Sequence, residues 1–277
     1  MTLPSIPLAG VIGNPIAHSK SPRLHGHWLK RYGLTGHYVP LEVDAADLGD
    51  VLSAMPRMGF VGCNVTIPHK ERVMEHVDQI TDRATLIGAV NTLIFRNDGT
   101  ILGDNTDGYG FIENLRQGAP DWDASAGPAV VLGAGGAARA IVASLLDAGV
   151  PEILLTNRTR VRAEKLREDF GARISVVEWV QAGNLMEKAA TVVNTTSLGM
   201  AGKAELRVPL DGLRKGVVVT DLVYNPLRTQ LLETAAAMGC MTVDGLGMLL
   251  HQAVPGFERW FGRRPVVDEE TRQAVLA

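Results

Sequence analysis

One stretch of the chain decides its fold: Val130-Val131-Leu132-Gly133-Ala134-Gly135-Gly136-Ala137-Ala138-Arg139-Ala140. It indicates an apolar strand, a glycine turn and an alanine-rich helix, which is the context in which a G-x-G-x-x-G/A motif binds a dinucleotide. Gly133 permits the tight turn, Gly135 lets the backbone approach a pyrophosphate, and Ala138 lets the helix pack close to the strand. We therefore predict a phosphate site at the N-terminus of this helix, where free N–H groups and the helix dipole favour negative charge.

The end of the next strand predicts which dinucleotide binds. An NAD site usually ends its second strand in Asp or Glu, which binds the ribose 2′-hydroxyl. Here the apolar run 152–156 is followed by Asn157-Arg158-Thr159. No carboxylate would repel a 2′-phosphate, and the Arg158 guanidinium can hold one. The motif therefore favours NADP(H) as cofactor; the alternative is an ordinary strand–helix turn with a surface arginine.

Composition excludes several classes of protein. The chain has 277 residues, of which 46% are hydrophobic and 21% charged, and a formal net charge of -3. This charge argues against nucleic-acid and anionic-membrane partners, and no apolar run approaches the roughly 18 residues of a membrane helix. Residues 1–5 lack the features of a signal peptide, so we expect a cytoplasmic protein. We interpret Cys63 and Cys240 as small buried hydrophobic residues in a protein of a reducing compartment, and not as a disulfide. The histidine spacing predicts no metal site.

Apolar runs predict a doubly wound parallel sheet after the linker 119–128. The predicted strands are 129–132, 152–156, 173–176, 191–194, 217–220 and 240–243, with helices near 136–148, 160–169 and 227–238. This part is an α/β domain of the Rossmann type.

A smaller α/β unit is predicted before the linker. Its strands are 6–12, 37–43 and 60–66, its helices lie near 22–32 and 46–56, and the segments 92–96 and 100–103 form a hairpin. The tail from Gly245 is mostly helical and is expected to return to this first domain. We therefore predict a substrate domain over 1–110, an NADP-binding domain over 111–244, and C-terminal helices over 245–277.

Polar residues cluster where the strands of the first domain end, which is where ligands bind in an open α/β sheet. The clusters are His18-Ser19-Lys20-Ser21-Pro22, Cys63 to Lys70, Gly88 to Thr92 and Gly103 to Gly108. Each has an ordinary structural explanation: a serine caps a helix, asparagines satisfy loop backbone, Lys70 is solvated, and Asp104 and Asp107 form turns. Together they indicate a site for a small polar molecule.

These residues resemble the shikimate dehydrogenase family over nearly the whole chain. The landmarks are the four clusters above, the glycine turn, Asn157-Arg158-Thr159, Asn194-Thr195-Thr196-Ser197-Leu198-Gly199-Met200, Asp221-Leu222-Val223-Tyr224-Asn225-Pro226, and Asp244 to Gln252. The resemblance implies an oxidoreductase that reduces 3-dehydroshikimate to shikimate with NADPH, in the pathway to chorismate and the aromatic amino acids.

The resemblance also implies roles for single residues. Lys70 and Asp107 are the implied catalytic pair. The implied substrate-binding residues are Ser19 and Ser21, which hold the carboxylate with Tyr224 nearby, and Asn64, Thr66, Asn91 and Gln252, which orient the ring. The cofactor-binding residues are predicted to be Gly133, Ala134, Gly135, Gly136, Ala137, Asn157, Arg158, Thr159, Thr196, Leu222, Gly245 and Met248, with Gly245 and Gly247 allowing the backbone to approach the nicotinamide.

One departure and three alternatives stand beside this interpretation. The family commonly has Asn after the histidine of the first helix, whereas this chain has His25-Gly26; we interpret Gly26 as a helix-packing position. The alternatives are a quinate/shikimate dehydrogenase of broader specificity, a folate-linked methylene dehydrogenase, and a non-catalytic NADP-binding sensor or scaffold. The lack of an acid near Asn157 argues against the quinate/shikimate enzyme. The paired serines argue against the folate-linked enzyme. The presence of both Lys70 and Asp107 argues against a non-catalytic protein. A homodimer is compatible with the sequence.

Overall fold

The structure is a computed structural model that describes residues 6–277. The residues of the first five positions, on which the signal-peptide expectation rests, lie outside the described part. The chain forms two compact units: one runs up to Thr106 and also contains Gln252–Ala277, and the other is Asp107–His251. The domain borders predicted from the sequence, between residues 110 and 111 and between residues 244 and 245, stay predictions.

The first unit is built on a mixed six-stranded sheet. Its elements are β1 (Leu8–Gly13), α1 (Ser21–Arg31), β2 (His37–Glu42), α2 (Leu48–Ala54), β3 (Phe60–Val65), β4 (Gln79–Ile80), α3 (Asp82–Ile87), β5 (Thr92–Phe95) and β6 (Ile101–Asp104). The strand order is β2-β1-β3-β5-β6-β4. β1 is parallel to both its neighbours, whereas β5 is antiparallel to β3 and β6. The predicted strands and hairpin are therefore present, with ends shifted by one or two residues.

Local chemistry explains where the helices of this unit differ from the expectation. α2 is shorter than the predicted 46–56 because it passes into a 3-10 turn over Met55–Met58, and Pro56 has no N–H to donate within a helix. α3 was not predicted. It begins at the Thr81 side chain, which accepts a hydrogen bond from Ala84 N, and ends at Gly88 with a φ of 73°. This left-handed glycine directs the chain from the helix into Asn91.

The second unit is the predicted doubly wound sheet. Its elements are α4 (Asp107–Gly118), β7 (Ala129–Leu132), α5 (Gly136–Asp147), β8 (Ile153–Thr156), α6 (Arg160–Phe170), β9 (Ile174–Val177), β10 (Thr191–Asn194), β11 (Val218–Asp221), α7 (Gln230–Ala237) and β12 (Met241–Val243). The strands are all parallel, in the order β12-β11-β10-β7-β8-β9. The direction of winding reverses between β7 and β10, so the glycine turn after β7 lies at the switch point where such sheets bind ligands.

The tail forms α8 (Leu246–Phe261) and α9 (Glu269–Leu276). From Gln252 onward it packs on the first unit. The Trp260 indole Nε1 donates to Leu93 O at 3.1 Å, and Arg31 makes a two-pronged ion pair with Asp268, with N···O distances of 2.9 and 2.7 Å. These contacts anchor the tail, and with it Gln252, to the sheet and to α1.

The helix-packing interpretation of Gly26 is wrong. Gly26 lies in α1 and is exposed, and a Cβ built on it would have no atom within 4 Å. Gly33, two residues beyond the end of the helix, is equally open but has a φ of 61°. Both positions therefore have room for a side chain, and the two glycines differ only in backbone conformation.

This difference predicts opposite effects on stability. Gly26→Ala is expected to raise the free energy of unfolding by about 0.5–1 kcal/mol, because alanine restricts the unfolded chain and favours a helix. Gly33→Ala is expected to lower it by about 1–2 kcal/mol, because an L side chain is strained at positive φ. Denaturant unfolding of both variants and of the wild type measures the two changes. A loss of stability in Gly26→Ala would show that the helix packs at this position after all.

Candidate active site

Gly133 makes the turn that follows β7. Its φ is 110°, and its N–H donates to Thr156 O at 2.8 Å. A side chain at this position would meet Thr195 Oγ1 and Thr196 Cγ2, each at 2.7 Å. Both the backbone conformation and the close approach require glycine, and Thr196, one of the predicted cofactor residues, lies directly against the turn.

The N-terminus of α5 fits a pyrophosphate. Gly135, Gly136 and Ala137 are exposed, and among residues 6–277 no side chain caps the helix. A Cβ built on Gly135 or Gly136 would have no atom of the described residues within 4 Å, so side chains do not crowd the start of the helix. Uncapped N–H groups at the positive end of a helix bind phosphate oxygens. Ala138 is fully buried against the sheet, as its small size predicts.

Asn157 ties the turn after β8 to the glycine turn. Its Oδ1 accepts from Ala134 N at 3.2 Å, and its Nδ2 donates to Thr159 O at 2.8 Å. Arg158 and Thr159 are exposed. Within residues 6–277 no carboxylate forms an ion pair with Arg158, whereas Arg160 is held by Glu164 and Glu178. The Arg158 guanidinium is therefore available to a phosphate.

A buried polar cluster holds the loops after β10 and β11. Two of its members, Asn194 and Asp221, begin landmark segments of the sequence but had no predicted role. Asn194 Oδ1 accepts from the N–H and the hydroxyl of Thr196, at 3.0 and 2.7 Å. Asn194 Nδ2 donates to Asp221 Oδ1 at 2.9 Å, and the Thr229 hydroxyl donates to Asp221 Oδ2 at 2.7 Å. Burial raises the pKa of Asp221 although these hydrogen bonds oppose the rise. The cluster therefore holds Thr196 in place. The sequence signal for this cluster is the polar residue, Asn194 or Asp221, that ends each of the two apolar runs.

The glycines at the start of α8 have a packing role within the second unit, and their predicted approach to the nicotinamide stays a prediction. The Cβ direction of Gly245 points at the backbone oxygens of Leu222 and Asp221, and that of Gly247 points at the Asn114 side chain. Both glycines therefore let α8 pack closely within the second unit, and neither position has room for a side chain. Leu222 and Met248 are half-buried against the hydrophobic core of the same unit.

The two serines of the first unit lie at the start of α1. The N-cap residue is Lys20, which makes no side-chain cap, and Ser21 is already helical. Ser19 Oγ accepts from Ser21 N at 3.3 Å, and Ser21 is 8% exposed. Among residues 6–277 no side chain of the N-cap residue caps α1, and the Ser19 hydroxyl bonds instead to the first helical N–H, that of Ser21.

Asn64, at the end of β3, is fully engaged although it is buried. Its Oδ1 accepts from the Tyr38 hydroxyl at 2.7 Å. Its Nδ2 donates to Asn91 O at 3.1 Å and to Thr92 Oγ1 at 3.2 Å. The carbonyl and hydroxyl partners determine which end of the amide is which, so the orientation of Asn64 is set.

Asn91 joins Asn64 to the tail. Its Oδ1 accepts from the Thr92 hydroxyl and from Thr106 N, both at 2.9 Å. Its Nδ2 donates to Gln252 Oε1 at 3.3 Å. The structure thus brings three of the predicted substrate-binding residues, Asn64, Asn91 and Gln252, into one hydrogen-bonded network. We call the chain of side chains Tyr38, Asn64, Thr92, Asn91 and Gln252 the amide network.

The predicted catalytic residues are both attached to this network through the backbone. Lys70 is half-buried, and its carbonyl accepts from Val90 N at 2.8 Å, one residue before Asn91. Asp107 is half-buried and is the first residue of α4, not a loop residue. It follows Thr106, whose N–H and hydroxyl both donate to Asn91 Oδ1. Lys70 is therefore bonded to the residue before Asn91, and Asp107 follows a residue that bonds to the Asn91 side chain.

The remaining predicted residues are placed as follows. Thr66 is half-buried, and its N–H donates to Ile12 O at 2.9 Å. Asp104 is a buried partner of Arg83 and Thr81 and does not form a turn; burial alone would raise the pKa of Asp104, but these hydrogen bonds lower it. Tyr224 lies in the second unit and is exposed, so its substrate role stays a prediction. Among residues 6–277 no group of three acidic, histidine or cysteine side chains could hold a metal.

The doubly wound sheet, the uncapped glycine turn and the polar network define a dinucleotide-dependent enzyme with a separate α/β unit for a small polar substrate. Three family models match the chain: the shikimate dehydrogenase substrate binding domain over 11–93, shikimate/quinate 5-dehydrogenase over 119–201, and the shikimate 5′-dehydrogenase C-terminal domain over 245–276. The chain belongs to the shikimate dehydrogenase family, which confirms the resemblance drawn from the sequence.

Relatives and solved structures are similar over nearly the full length. A shikimate dehydrogenase (NADP(+)) of Cereibacter sphaeroides is 72% identical, covering 99% of both chains, and one of Ruegeria sp. is 67% identical, covering 100% of both. Shikimate 5-dehydrogenase of Thermus thermophilus in complex with NADP(H) and shikimate has a TM-score of 0.85 at 36% identity, covering 97% of this chain and 98% of that one. Quinate dehydrogenase of Corynebacterium glutamicum in complex with NAD has a TM-score of 0.90 at 31% identity, covering 97% and 98%.

Proposed function

We propose that Lys70 and Asp107 carry out the NADPH-dependent, reversible reduction of 3-dehydroshikimate to shikimate in this chain. The reaction and the cofactor are those of the family: relatives from 61% to 72% identical are named shikimate dehydrogenase (NADP(+)). The predicted activity and the predicted use of NADP(H) are confirmed by these relatives. The residues that perform the reaction are the proposal.

The second unit supports the cofactor assignment with its own geometry. The uncapped start of α5 would hold the pyrophosphate, and Arg158 would hold the 2′-phosphate. Asn157 positions both, because it bonds to Ala134 in one turn and to Thr159 in the other. When NADPH is bound, its nicotinamide supplies the hydride.

The protein has to bind the substrate and provide a proton at the ketone oxygen. The Lys70 ammonium is a donor that polarises the carbonyl and stabilises the negative charge that develops on its oxygen. A carboxylate such as Asp107 keeps an ammonium charged and aimed. Ser19 and Ser21 would donate to the substrate carboxylate with Tyr224, and Asn64, Thr66, Asn91 and Gln252 would bind the ring hydroxyls. In this arrangement the ketone, the carboxylate and the ring hydroxyls of the substrate each have a hydrogen-bonding partner on the protein.

One observation carries the proposal. The backbone of Lys70 accepts from Val90, next to Asn91, and Asp107 directly follows Thr106, which donates to the Asn91 side chain. Backbone neighbours of Lys70 and Asp107 are therefore bonded to, or adjacent to, the Asn91 amide that would orient the ring, and this supports the proposed roles.

An absorbance assay of reduced nicotinamide tests the function directly. The purified protein is expected to reduce NADP in the presence of shikimate, and to do so with a higher kcat/KM than for quinate with NAD. The four combinations of the two acids and two cofactors separate the hypotheses. A preference for quinate with NAD would favour the broader quinate/shikimate alternative, and inactivity with all four would favour the non-catalytic one.

Compartment and assembly are further parts of the proposal. Within residues 6–277 no helix has the length and apolarity to span a bilayer. Cys63 and Cys240 are unpaired, which supports a reducing compartment such as the cytoplasm. The net charge of -3 supports small molecules and not nucleic acid as partners. Analytical ultracentrifugation would decide between a monomer and a homodimer.

A further inference from the structure

We propose that Tyr38 and Thr92 are positioning residues for the substrate, because their hydroxyls set the orientations of Asn64 and Asn91. This inference rests on the proposed function, in which those two residues bind shikimate or 3-dehydroshikimate. Neither Tyr38 nor Thr92 belongs to the predicted site residues.

The Tyr38 hydroxyl restrains one of the proposed substrate residues. It donates its one proton to Asn64 Oδ1 at 2.7 Å. A hydroxyl carries a single proton, so this bond fixes the direction of the donation. Tyr38 thus holds the oxygen end of a proposed ring-binding amide.

The ring of Tyr38 is fixed by stacking. The imidazole of His25 lies parallel to it, with ring centroids 3.8 Å apart and an interplanar angle of 5°. His25 is fully buried, and burial lowers its pKa to about 3, so the imidazole is neutral at physiological pH. It has no hydrogen-bond partner among residues 6–277. His25 therefore acts as a flat apolar surface that holds the Tyr38 ring, and through it the hydroxyl, in place.

Thr92 completes the other side of Asn64. The two residues are directly opposite in the antiparallel pairing of β3 and β5. Thr92 Oγ1 accepts from Asn64 Nδ2 at 3.2 Å and donates to Asn91 Oδ1 at 2.9 Å. Every donation along the amide network therefore has a defined direction, from Tyr38 to Asn64, Thr92, Asn91 and Gln252. Reversing Asn64 would place its oxygen against the Asn91 carbonyl, and reversing Asn91 would place its Nδ2 against Thr106 N. Either reversal costs the energy of an unpaired buried group.

The decisive experiment is steady-state kinetics of Tyr38→Phe, which keeps the ring stacked on His25 and removes only the hydroxyl. The KM for shikimate is expected to rise roughly three- to tenfold, the effect of one lost buried hydrogen bond, while kcat and the KM for NADP stay within about twofold of wild type. Tyr32→Phe is the matched control, because the Tyr32 hydroxyl accepts from Val266 N at 2.9 Å elsewhere in the same unit. That variant should leave all three constants unchanged.

A second pair of variants tests the network independently. Thr92→Val keeps the shape and removes the hydroxyl, and is expected to raise the KM for shikimate; Thr92→Ser restores the hydroxyl and should restore the KM. Equal constants for these two variants, or an unchanged KM in Tyr38→Phe, would overturn the positioning role.

Ser21→Ala separates this inference from the proposed function. A raised KM for shikimate in Ser21→Ala together with a normal KM in Tyr38→Phe and Thr92→Val rejects the inference alone. A normal KM in Ser21→Ala rejects the substrate role of Ser21, and a wild-type protein that does not oxidise shikimate rejects the proposed function.

Discussion

Lys70→Ala is expected to lower the turnover number by at least about two orders of magnitude, the low end of the range for general acid–base catalysis. Shikimate and NADP should still bind, because the ammonium stabilises charge that develops only in the transition state. An interaction made only there affects kcat and leaves substrate affinity unchanged. The alternative, in which Lys70 is an ordinary solvated lysine, predicts a turnover number close to wild type.

Asp107 extends the same prediction to a pair. Asp107→Ala is expected to lower kcat as well, and the double variant should be little slower than Lys70→Ala. Residues that act as one unit are not additive, because the second loss removes support for a group that is already absent. Fully multiplicative effects in the double variant would show that the two residues act independently.

Stopped-flow measurement of turnover and calorimetric measurement of shikimate and NADP binding check both statements. Lys30→Ala is a suitable control, since Lys30 is an exposed lysine of the same unit, on α1. It should leave turnover unchanged. Loss of shikimate binding in Lys70→Ala, with a normal turnover number at saturation, would assign Lys70 to ground-state binding and remove it from the chemical step.

Local signals in the sequence were sufficient for most of the fold. β10 has the predicted bounds, Thr191–Asn194, because a short apolar run in a parallel sheet ends where its burial ends. The glycine turn at Gly133 predicted the strand, the helix and the switch point together. Elements were missed where the sequence pattern is weak. α4 begins at Asp107 within a segment rich in Gly, Asn and Thr, and the 3-10 segment Trp179–Lys188 has no turn or cap that marks it.

The network around Asn64 was beyond the reach of local patterns. Tyr38 and Asn64 lie on β2 and β3, with β1 between them, and the register opposes Tyr38 to Ala9 and Ala9 to Gly62. The hydrogen bond between Tyr38 and Asn64 therefore depends on two strand pairings, which a single sequence does not contain. Resemblance to a family predicted a set of substrate-binding residues, whereas Tyr38 and Thr92 became visible only from their hydrogen bonds to that set.

The largest effect expected on cofactor choice comes from Arg158. Arg158→Gln should weaken NADP binding roughly ten- to a hundredfold, since a guanidinium–phosphate contact contributes about 1.5–3 kcal/mol. NAD has no 2′-phosphate, so its affinity should change little. The structure supports this selectivity because Arg158 is exposed beside Asn157, which anchors the turn to Ala134 and Thr159.

Arg160→Gln is the matched control for this prediction, because it removes the same charge two residues away. Arg160 is already paired with Glu164 and Glu178, at 2.8 and 2.5 Å, and those carboxylates compete with any phosphate for its guanidinium. Fluorescence titration of both variants with NADP and with NAD gives four ratios to wild type. An equal loss for both cofactors in Arg158→Gln would mean that Arg158 supports the turn and not the 2′-phosphate. A selective loss in Arg158→Gln with none in Arg160→Gln would assign the recognition of the phosphate to the one guanidinium of this turn that no carboxylate holds.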